Sequence, residues 1–367
     1  MALKDIYCQD HVVTSLCSAR TAQRQPHAYI FAGPDGVGKF TTARAWAKLL
    51  LCSQPTTSQR DANTFYDSCG SCRSCIAFDA DSHPDFHLIQ KELIVYTEEG
   101  KNKKPGLEMP VAVVREFLIN KISAQPALSD RTVFVMLEAE KLNASSQNAM
   151  LKTLEEPPPF ATIILICSRL EKMLPTTQSR SRTVMFGPIA EDMIIKHLQQ
   201  TGVMTAEARY WARFSQGSIG SALTWSTLKN DTISAYDIKK RIVEKLASLR
   251  LEDVVDTAEQ FAKDASAIAK IWAKLDPNTS EADLGRRSAK GVMWMICCVL
   301  NDVMRIGVQN TRALINSDQD ALITKLLARY GPEGAADRTE SVYRSMDWVD
   351  ASVNEKLIFE QLLFNLV

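Results

Sequence analysis

Short apolar runs separated by polar, helix-like stretches dominate the first half of the chain. Runs rich in apolar and β-branched residues occur at Ala28–Ala32, Phe86–Ile89, Thr132–Leu137 and Ala161–Cys167. Runs of this length and composition predict buried strands. A glycine-rich turn and a predicted helix over about Thr41–Leu51 follow the first run. The order strand, helix, strand therefore predicts an α/β domain built on a parallel sheet.

A helical pattern over Asn143–Glu156 separates the last two predicted strands. Asn143 is a predicted N-cap, because its side-chain oxygen can accept hydrogen bonds from backbone amides of the first turn. Three prolines at 157–159 follow the pattern. They end the helix, because proline lacks an amide hydrogen and clashes with the preceding turn.

The pattern is helical from Gly187-Pro188 to the end of the chain. The predicted helices are Glu191–Gln200, Ala206–Ser215, Ser218–Leu228, Ser234–Leu249, Leu251–Leu275, Arg287–Ile306 and Asn354–Leu366. The first three are short and form a small helical unit, whereas the later helices are longer. We therefore predict an α/β domain over residues 1–188, a helical lid over 189–230 and a helical C-terminal domain over 231–367.

The charge balance narrows the range of partners. Lys and Arg together number 43, as do Asp and Glu, so no overall positive field indicates nucleic-acid binding. The loop over Gly100–Pro110 carries Lys101, Lys103 and Lys104, which we interpret as solvated rather than bound to DNA.

The longest apolar run, Gly291–Leu300, is too short to span a bilayer. With no signal-peptide pattern at the N-terminus, we expect a cytoplasmic protein with no membrane partner.

A glycine-rich turn between the first strand and its helix has the form of a phosphate loop. The turn reads Gly-Pro-Asp-Gly-Val-Gly-Lys over residues 33–39. In this context backbone amides and the helix dipole favour a phosphate, and the lysine adds a cation. The candidate phosphate-binding residues are Gly33, Gly36, Gly38, Lys39 and Thr41.

Two positions that would hold magnesium in such a site are apolar. Phe40 stands where Ser or Thr would offer a hydroxyl, and Thr41 and Thr42 are each turned by about 100° further around the helix. Leu137 stands where a strand-end Asp would bind the ion, although Glu138 remains as the carboxylate that polarises water or as a plain surface carboxylate. We therefore expect weak binding of ATP or ADP and weak or absent hydrolysis.

Four of the nine cysteines are clustered, at Cys52, Cys69, Cys72 and Cys75, with the spacing C-x16-C-x2-C-x2-C. Four thiolates can surround Zn²⁺ in a closed, structural site, and an iron–sulfur cluster is the main alternative. His83 is an alternate ligand, or it shapes a turn in His-Pro-Asp. The other five sit in apolar patterns as free core thiols, namely Cys8, Cys17, Cys167, Cys297 and Cys298.

Several segments resemble the subunits of bacterial clamp loaders, which are AAA+ proteins. They are His27–Lys39, the four-cysteine module at about 52–82, Asn148–Pro158 (NAMLKTLEEPP), Leu174–Ser181 (LPTTQSRS) and Gly217–Leu223 (GSIGSAL). The resemblance is sharp over residues 6–225 and departs at Ser181, where the family has Cys. It implies an AAA+-like P-loop α/β domain with a zinc module, a helical lid and an all-α C-terminal collar domain for oligomerisation.

The family contains ATP-hydrolysing gamma/tau subunits and delta-prime subunits. The motor type has Thr, Asp and Arg where this chain has Phe40, Leu137 and Gly220. This chain keeps Arg180, which in the family projects into the ATP site of an adjacent subunit. The resemblance therefore implies a delta-prime-type scaffold whose finger arginine acts in trans.

Partners follow from the same resemblance. It implies a hetero-oligomer, a pentamer, with gamma/tau and delta subunits, which loads the sliding clamp on primed DNA. The complex would serve the DNA polymerase III holoenzyme, a DNA-directed DNA polymerase and hence a nucleotidyltransferase. Two alternatives stay open: a gamma/tau-type motor with an unusual phosphate loop, and a zinc-bearing adaptor outside replication.

Overall fold

A computed structural model describes residues 2–22, 25–60, 63–100, 106, 108–277, 279–308, 314–351 and 353–367. The predicted loop lysines Lys101, Lys103 and Lys104 lie outside the described residues. The chain divides into two compact units, Met1–Ile189 and Ala190–Val367. Within the described ranges, no helix is both long and apolar enough to cross a membrane.

The first unit alternates strands and helices. Its elements are α1 (Asp10–Thr21), β1 (Ala28–Ala32), α2 (Lys39–Leu51), β2 (Thr56–Arg60), β3 (Asn63–Asp67), α3 (Arg73–Asp79), β4 (Phe86–Ile89), α4 (Val111–Val114), β5 (Thr132–Met136), α5 (Ala144–Glu155), β6 (Ala161–Cys167), α6 (Pro175–Ser179) and β7 (Arg182–Met185). The four predicted strands are confirmed, the third one residue shorter than expected. Asn143 caps α5 as predicted, because its side chain accepts a hydrogen bond from the amide of Ser146.

Five parallel strands form the main sheet, in the order β4-β5-β6-β1-β7. Strands β1, β5 and β6 are buried at every position, as expected for a sheet covered on both faces. One face packs with Trp46 of α2 and Leu16 of α1, and the other with Met150 of α5 and Val113 of α4. The predicted parallel α/β architecture is therefore confirmed.

The second unit is helical throughout. Its helices are α7 (Glu191–Gln200), α8 (Thr205–Phe214), α9 (Ile219–Thr227), α10 (Ala235–Ser248), α11 (Val254–Leu275), α12 (Glu281–Gly307), α13 (Asp320–Asp350) and α14 (Glu355–Leu366). All seven predicted helices are present, and α12 begins six residues before its expected start. Helix α13 is an addition to the predicted set, and it is kinked at Gly331 (φ 63°) before Pro332. The division into lid and C-terminal domain near residue 230 stays a prediction.

Aromatic side chains fill the interior of the second unit around Trp225 of α9. Its ring stacks on Trp211 at 6.0 Å and meets Trp272 edge-on at 5.8 Å. The face of α12 opposite this ring carries Gly291, where an added Cβ would lie 2.1 Å from the Trp225 ring. A residue without a side chain is therefore required at this helix contact.

The prediction that five cysteines are core thiols holds for four of them. Cys17, Cys167, Cys297 and Cys298 are buried. The prediction is wrong for Cys8, which is only partly buried and has a φ of 52°. It lies in the turn before α1 rather than on an apolar face, because the helix begins two residues later.

Candidate functional site

The phosphate loop joins the end of β1 to the start of α2, as its sequence predicts. Gly33, Gly36 and Gly38 have φ values of 146°, 71° and 96°, a region that favours glycine. Gly33 also lies against the segment after β7, since an added Cβ would approach the Phe186 carbonyl oxygen to 2.4 Å. All three glycines therefore serve the backbone turn, and Gly33 also allows the segment after β7 to pack closely.

The lysine of this loop is turned onto the loop itself. Its Nζ donates to the carbonyl oxygens of Gly33 (2.5 Å) and Pro34 (2.6 Å) and lies 3.5 Å from Oδ1 of Asp35. Lys39 is 5% exposed. A phosphate bound here would compete with these carbonyls for the ammonium group.

Two threonines follow Phe40 in α2. Thr42 is buried, and its Oγ1 donates to the carbonyl oxygen of Gly38 at 2.8 Å. Thr41 is partly buried one position beyond Phe40. The phosphate loop thus has its backbone geometry and its lysine, but its first helical turn lacks a hydroxyl at the position of Phe40.

Phe40 and Leu137 are part of the apolar packing of the first unit. Both are partly buried and contact the core cluster that includes Phe31 and Trp46. The guanidinium of Arg44 lies 6.0 Å from the centre of the Phe40 ring. The two positions at which the sequence predicts lost magnesium ligands are therefore part of the apolar packing.

Glu138 stands at the carboxyl end of β5 with a φ of 49°. Its Oε1 accepts a hydrogen bond from Nζ of Lys141 at 2.6 Å, and its Oε2 lies 4.0 Å from Nζ of the buried Lys91. Two cations therefore hold the carboxylate at the end of its strand.

Arg180 lies at the surface of the first unit, directly after α6. Its Nε donates to Oε1 of Glu155 at 2.6 Å, and its Nη1 donates to the carbonyl oxygen of Thr176 at 3.1 Å. One third of the side chain is exposed (33%). The next residue, Ser181, has a buried hydroxyl with no hydrogen-bond partner among the described residues.

Segments from α2, the β2–β3 hairpin and α3 bring the four cysteines together. Cys52 caps the end of α2, Cys69 follows β3, and Cys72 and Cys75 lie at the start of α3. Their sulfur atoms lie within 4.8 Å of one another, so the four thiols could hold one metal ion. His83 lies outside this set, because it bonds Ser74 (2.8 Å) and accepts from the amide of Asp85 (3.1 Å).

Polar contacts tie this cysteine module to the phosphate-loop helix. Nζ of Lys48 in α2 contacts both carboxylate oxygens of Asp79 in α3 at 2.7 Å. Arg44 of α2 bonds Asp81 at 2.6 Å. The same helix that begins at the phosphate loop therefore ends as part of the cysteine cluster.

Family models match most of the chain. The model described as DNA polymerase III, delta subunit, matches residues 8–190, and a second model, for the C-terminal part of the DNA polymerase III delta subunit, matches residues 253–367. The chain belongs to the DNA polymerase III delta-subunit family. The phosphate loop and the four clustered cysteines both lie in the first matched segment.

Relatives with curated names are delta' or gamma/tau subunits of DNA polymerase III. The DNA polymerase III subunit delta' of Pseudomonas aeruginosa is 32% identical over 48% of this chain and 48% of its own length. The delta' subunit of Bacillus subtilis is 24% identical over 98% of this chain and 96% of its own. The gamma/tau subunit of Mycobacterium bovis is 29% identical over 99% of this chain and 60% of its own. The matched region thus spans about half of the first relative and nearly all of the second.

Among solved structures, a DNA polymerase III gamma subunit-related protein of Thermotoga maritima matches 95% of this chain and 97% of its own, with a TM-score of 0.38 and 15% identity. A score this low supports no comparison of the sites.

Proposed function

We propose that the chain is a delta-prime-type clamp-loader subunit that works as a scaffold and not as a motor. The observation that carries this proposal is the packing of Phe40 and Leu137 against the core at two positions where a motor binds magnesium. Without those ligands, the charge that develops on a transferring phosphoryl group has no bound cation beside it. The Lys39 contacts to its own loop carbonyls also favour a weak nucleotide site.

Arg180 is the residue by which this subunit would serve a neighbour. A guanidinium delivered from an adjacent subunit stabilises the transferring phosphoryl group and is worth roughly 10³–10⁵ in rate for GTPases. The surface position of Arg180 supports this role, because a side chain buried in its own core could not reach a partner. Its exposed partner Glu155 can be exchanged at little cost.

The four cysteines would hold Zn²⁺. Sulfur atoms at the corners of a tetrahedron around one ion, each about 2.3 Å from it, lie about 3.8 Å apart. Three sulfur pairs here are separated by 3.6 Å (Cys52–Cys69), 3.9 Å (Cys52–Cys72) and 3.9 Å (Cys69–Cys75). This spacing supports a single ion over an iron–sulfur cluster, which needs a wider cage for its several atoms.

The four thiols differ in acidity. Burial alone would raise the pKa of Cys72, but hydrogen bonds from Ser53 and from the Cys75 amide lower it to about 5, whereas burial raises the pKa of Cys52 and Cys75. Amide hydrogens also point at sulfur in the contacts Cys69 N to Cys52 Sγ (3.4 Å) and Cys72 N to Cys69 Sγ (3.3 Å). Such contacts stabilise the thiolate that a metal requires.

The protein would join gamma/tau and delta subunits in a pentamer, with its helical C-terminal unit in a collar, and the assembly would place a sliding clamp on primed DNA. Mixing the purified chain with gamma/tau and delta subunits, followed by size-exclusion chromatography with mass measurement, tests this function. One stoichiometric complex is expected. Separate elution of this chain at micromolar concentration would contradict the proposal.

A further inference from the structure

The first unit has a polar cleft at the end of the sheet opposite the phosphate loop. The cleft has a volume of about 800 Å³ and is lined by residues just before β1, β5 and β6, including His27, Arg131 and Pro159. The phosphate loop follows the carboxyl end of β1. A five-residue strand spans about 17 Å, so the cleft is separate from the nucleotide site.

Two arginines line this cleft, and neither forms an ion pair with a described carboxylate. Arg20 comes from α1 and Arg131 immediately precedes β5. Both side chains are partly buried. Cys52, at the end of α2, lines the same cleft. Two partly buried guanidinium groups with no described carboxylate paired to them would both face an anion bound there.

The other lining groups suit an anion better than a cation. The guanidinium of Arg20 lies 5.4 Å from the centre of the Tyr66 ring, which restricts its position. The Tyr66 hydroxyl also lies at the cleft, 3.4 Å from Oγ1 of Thr21. Asp130 also lines the cleft, but it is exposed to solvent, which screens its charge.

We propose that the cleft between Arg20 and Arg131 binds a phosphate group. A carboxylate has two oxygens and is satisfied by one guanidinium, whereas a phosphate has enough oxygens and charge for two. The cleft volume exceeds that of a single phosphate, so it has room for a larger molecule that carries one. Free polyphosphate and the phosphodiester backbone of a single strand share this chemistry.

Isothermal titration calorimetry of the full chain at low ionic strength tests the proposal. The probes are inorganic pyrophosphate and a single-stranded oligothymidylate, with malonate as the carboxylate comparison. Saturable binding of either phosphate probe is expected, and the stronger of the two identifies the source. Each of Arg20→Gln and Arg131→Gln should weaken binding about tenfold or more, and Arg131→Lys should weaken it because the planar fork is lost.

Two control variants distinguish binding in the cleft from binding elsewhere on the chain. Arg209→Gln changes an exposed arginine of the second unit, so it should leave the affinity within about twofold. The titrations are repeated in a Lys39→Ala background, which removes binding of the probes at the phosphate loop. Thermal melting of each variant reports whether it is folded. Three results would each overturn the proposal. They are no binding of either phosphate probe, binding of malonate as strong as that of the phosphate probes, and loss of binding in Lys39→Ala while both cleft variants still bind normally.

Discussion

Nε of Arg180 donates a hydrogen bond to Oε1 of Glu155 across 2.6 Å, which joins the end of α6 to the end of α5. Both side chains are partly exposed, at 33% and 47%. An exposed pair of this kind contributes about 0–1 kcal/mol to stability. The pair therefore holds the guanidinium at the surface at little cost, which supports the proposal that a phosphate of a neighbouring protomer replaces the carboxylate.

The isolated chain is expected to hydrolyse ATP no faster than background in the presence of magnesium. Phe40 and Leu137 offer no oxygen ligand to magnesium, so Lys39 would have no bound metal ion beside it to help stabilise the transferring phosphoryl group. A steady-state phosphate-release assay of wild type and Lys39→Ala checks this. Robust turnover by the wild type that Lys39→Ala abolishes would favour the gamma/tau-type motor.

The purified chain is expected to contain one zinc ion per molecule. Cys75→Ser should lose the ion and lower the melting temperature by about 5 °C or more, because metal binding contributes folding free energy. Cys8→Ser is the matched control, since Cys8 lies outside the cluster, and it should retain the zinc. Elemental analysis measures the zinc and iron content of each variant. Iron in place of zinc would refute the assignment.

Asp85 is expected to stabilise the first unit in a pH-dependent way. Its oxygens accept from the amides of Ala127 (2.6 Å), Leu128 (2.9 Å) and Ser129 (2.8 Å). Burial alone would raise the pKa of Asp85, but these hydrogen bonds hold it below its ordinary value. Asp85→Asn should therefore cost about 2–3 kcal/mol at neutral pH.

The sign of this pH effect follows from the lowered pKa. The stability that ionised Asp85 contributes is present above its unfolded pKa, about 3.9, and is lost as pH falls through the lower folded value. Urea unfolding of wild type and Asp85→Asn should therefore converge below about pH 4. Asp130→Asn, an exposed neighbour, should change stability by less than about 0.5 kcal/mol. A difference that stays constant down to the acid transition would contradict this account.

Two glycines of α12 are expected to respond to alanine in opposite directions. At Gly291 the new Cβ would meet the Trp225 ring at 2.1 Å, so Gly291→Ala should destabilise the second unit by about 1–3 kcal/mol. At Gly285 the nearest atom is 3.7 Å away, so Gly285→Ala should stabilise it by up to about 1 kcal/mol. Chemical denaturation measures both, and a tolerated Gly291→Ala would show that Trp225 repacks freely.

The strands and helices with strong hydrophobic patterns could be predicted from the sequence. β1, β5 and β6 are buried on both faces and therefore form continuous apolar runs. β7 gives no such signal, because Arg182, Thr183 and Met185 are exposed on this edge strand. Strand β2 likewise has no apolar residue. Gly331 and Pro332 interrupt the pattern of α13, so the sequence does not indicate the helix on either side.

The candidate sites also differ in how far the sequence alone predicts them. The phosphate loop and the cysteines at the start of α3 are local motifs, so spacing predicts them. The Asp85 hydrogen bonds and the cleft of Arg20, Tyr66 and Arg131 depend on residues far apart in the chain, and no local pattern indicates them. Only the folded sheet brings them together.

Arg180→Ala in the reconstituted clamp loader tests the proposal that Arg180 serves the ATP bound by a neighbouring subunit. The measurement is ATP hydrolysis stimulated by the clamp and primed DNA, with Arg182→Ala, an exposed arginine of β7, as the matched control. We expect Arg180→Ala to assemble normally and to lower turnover several-fold or more, because one motor site loses its finger, while Arg182→Ala stays near wild type. Normal assembly with unchanged turnover in Arg180→Ala would contradict the account.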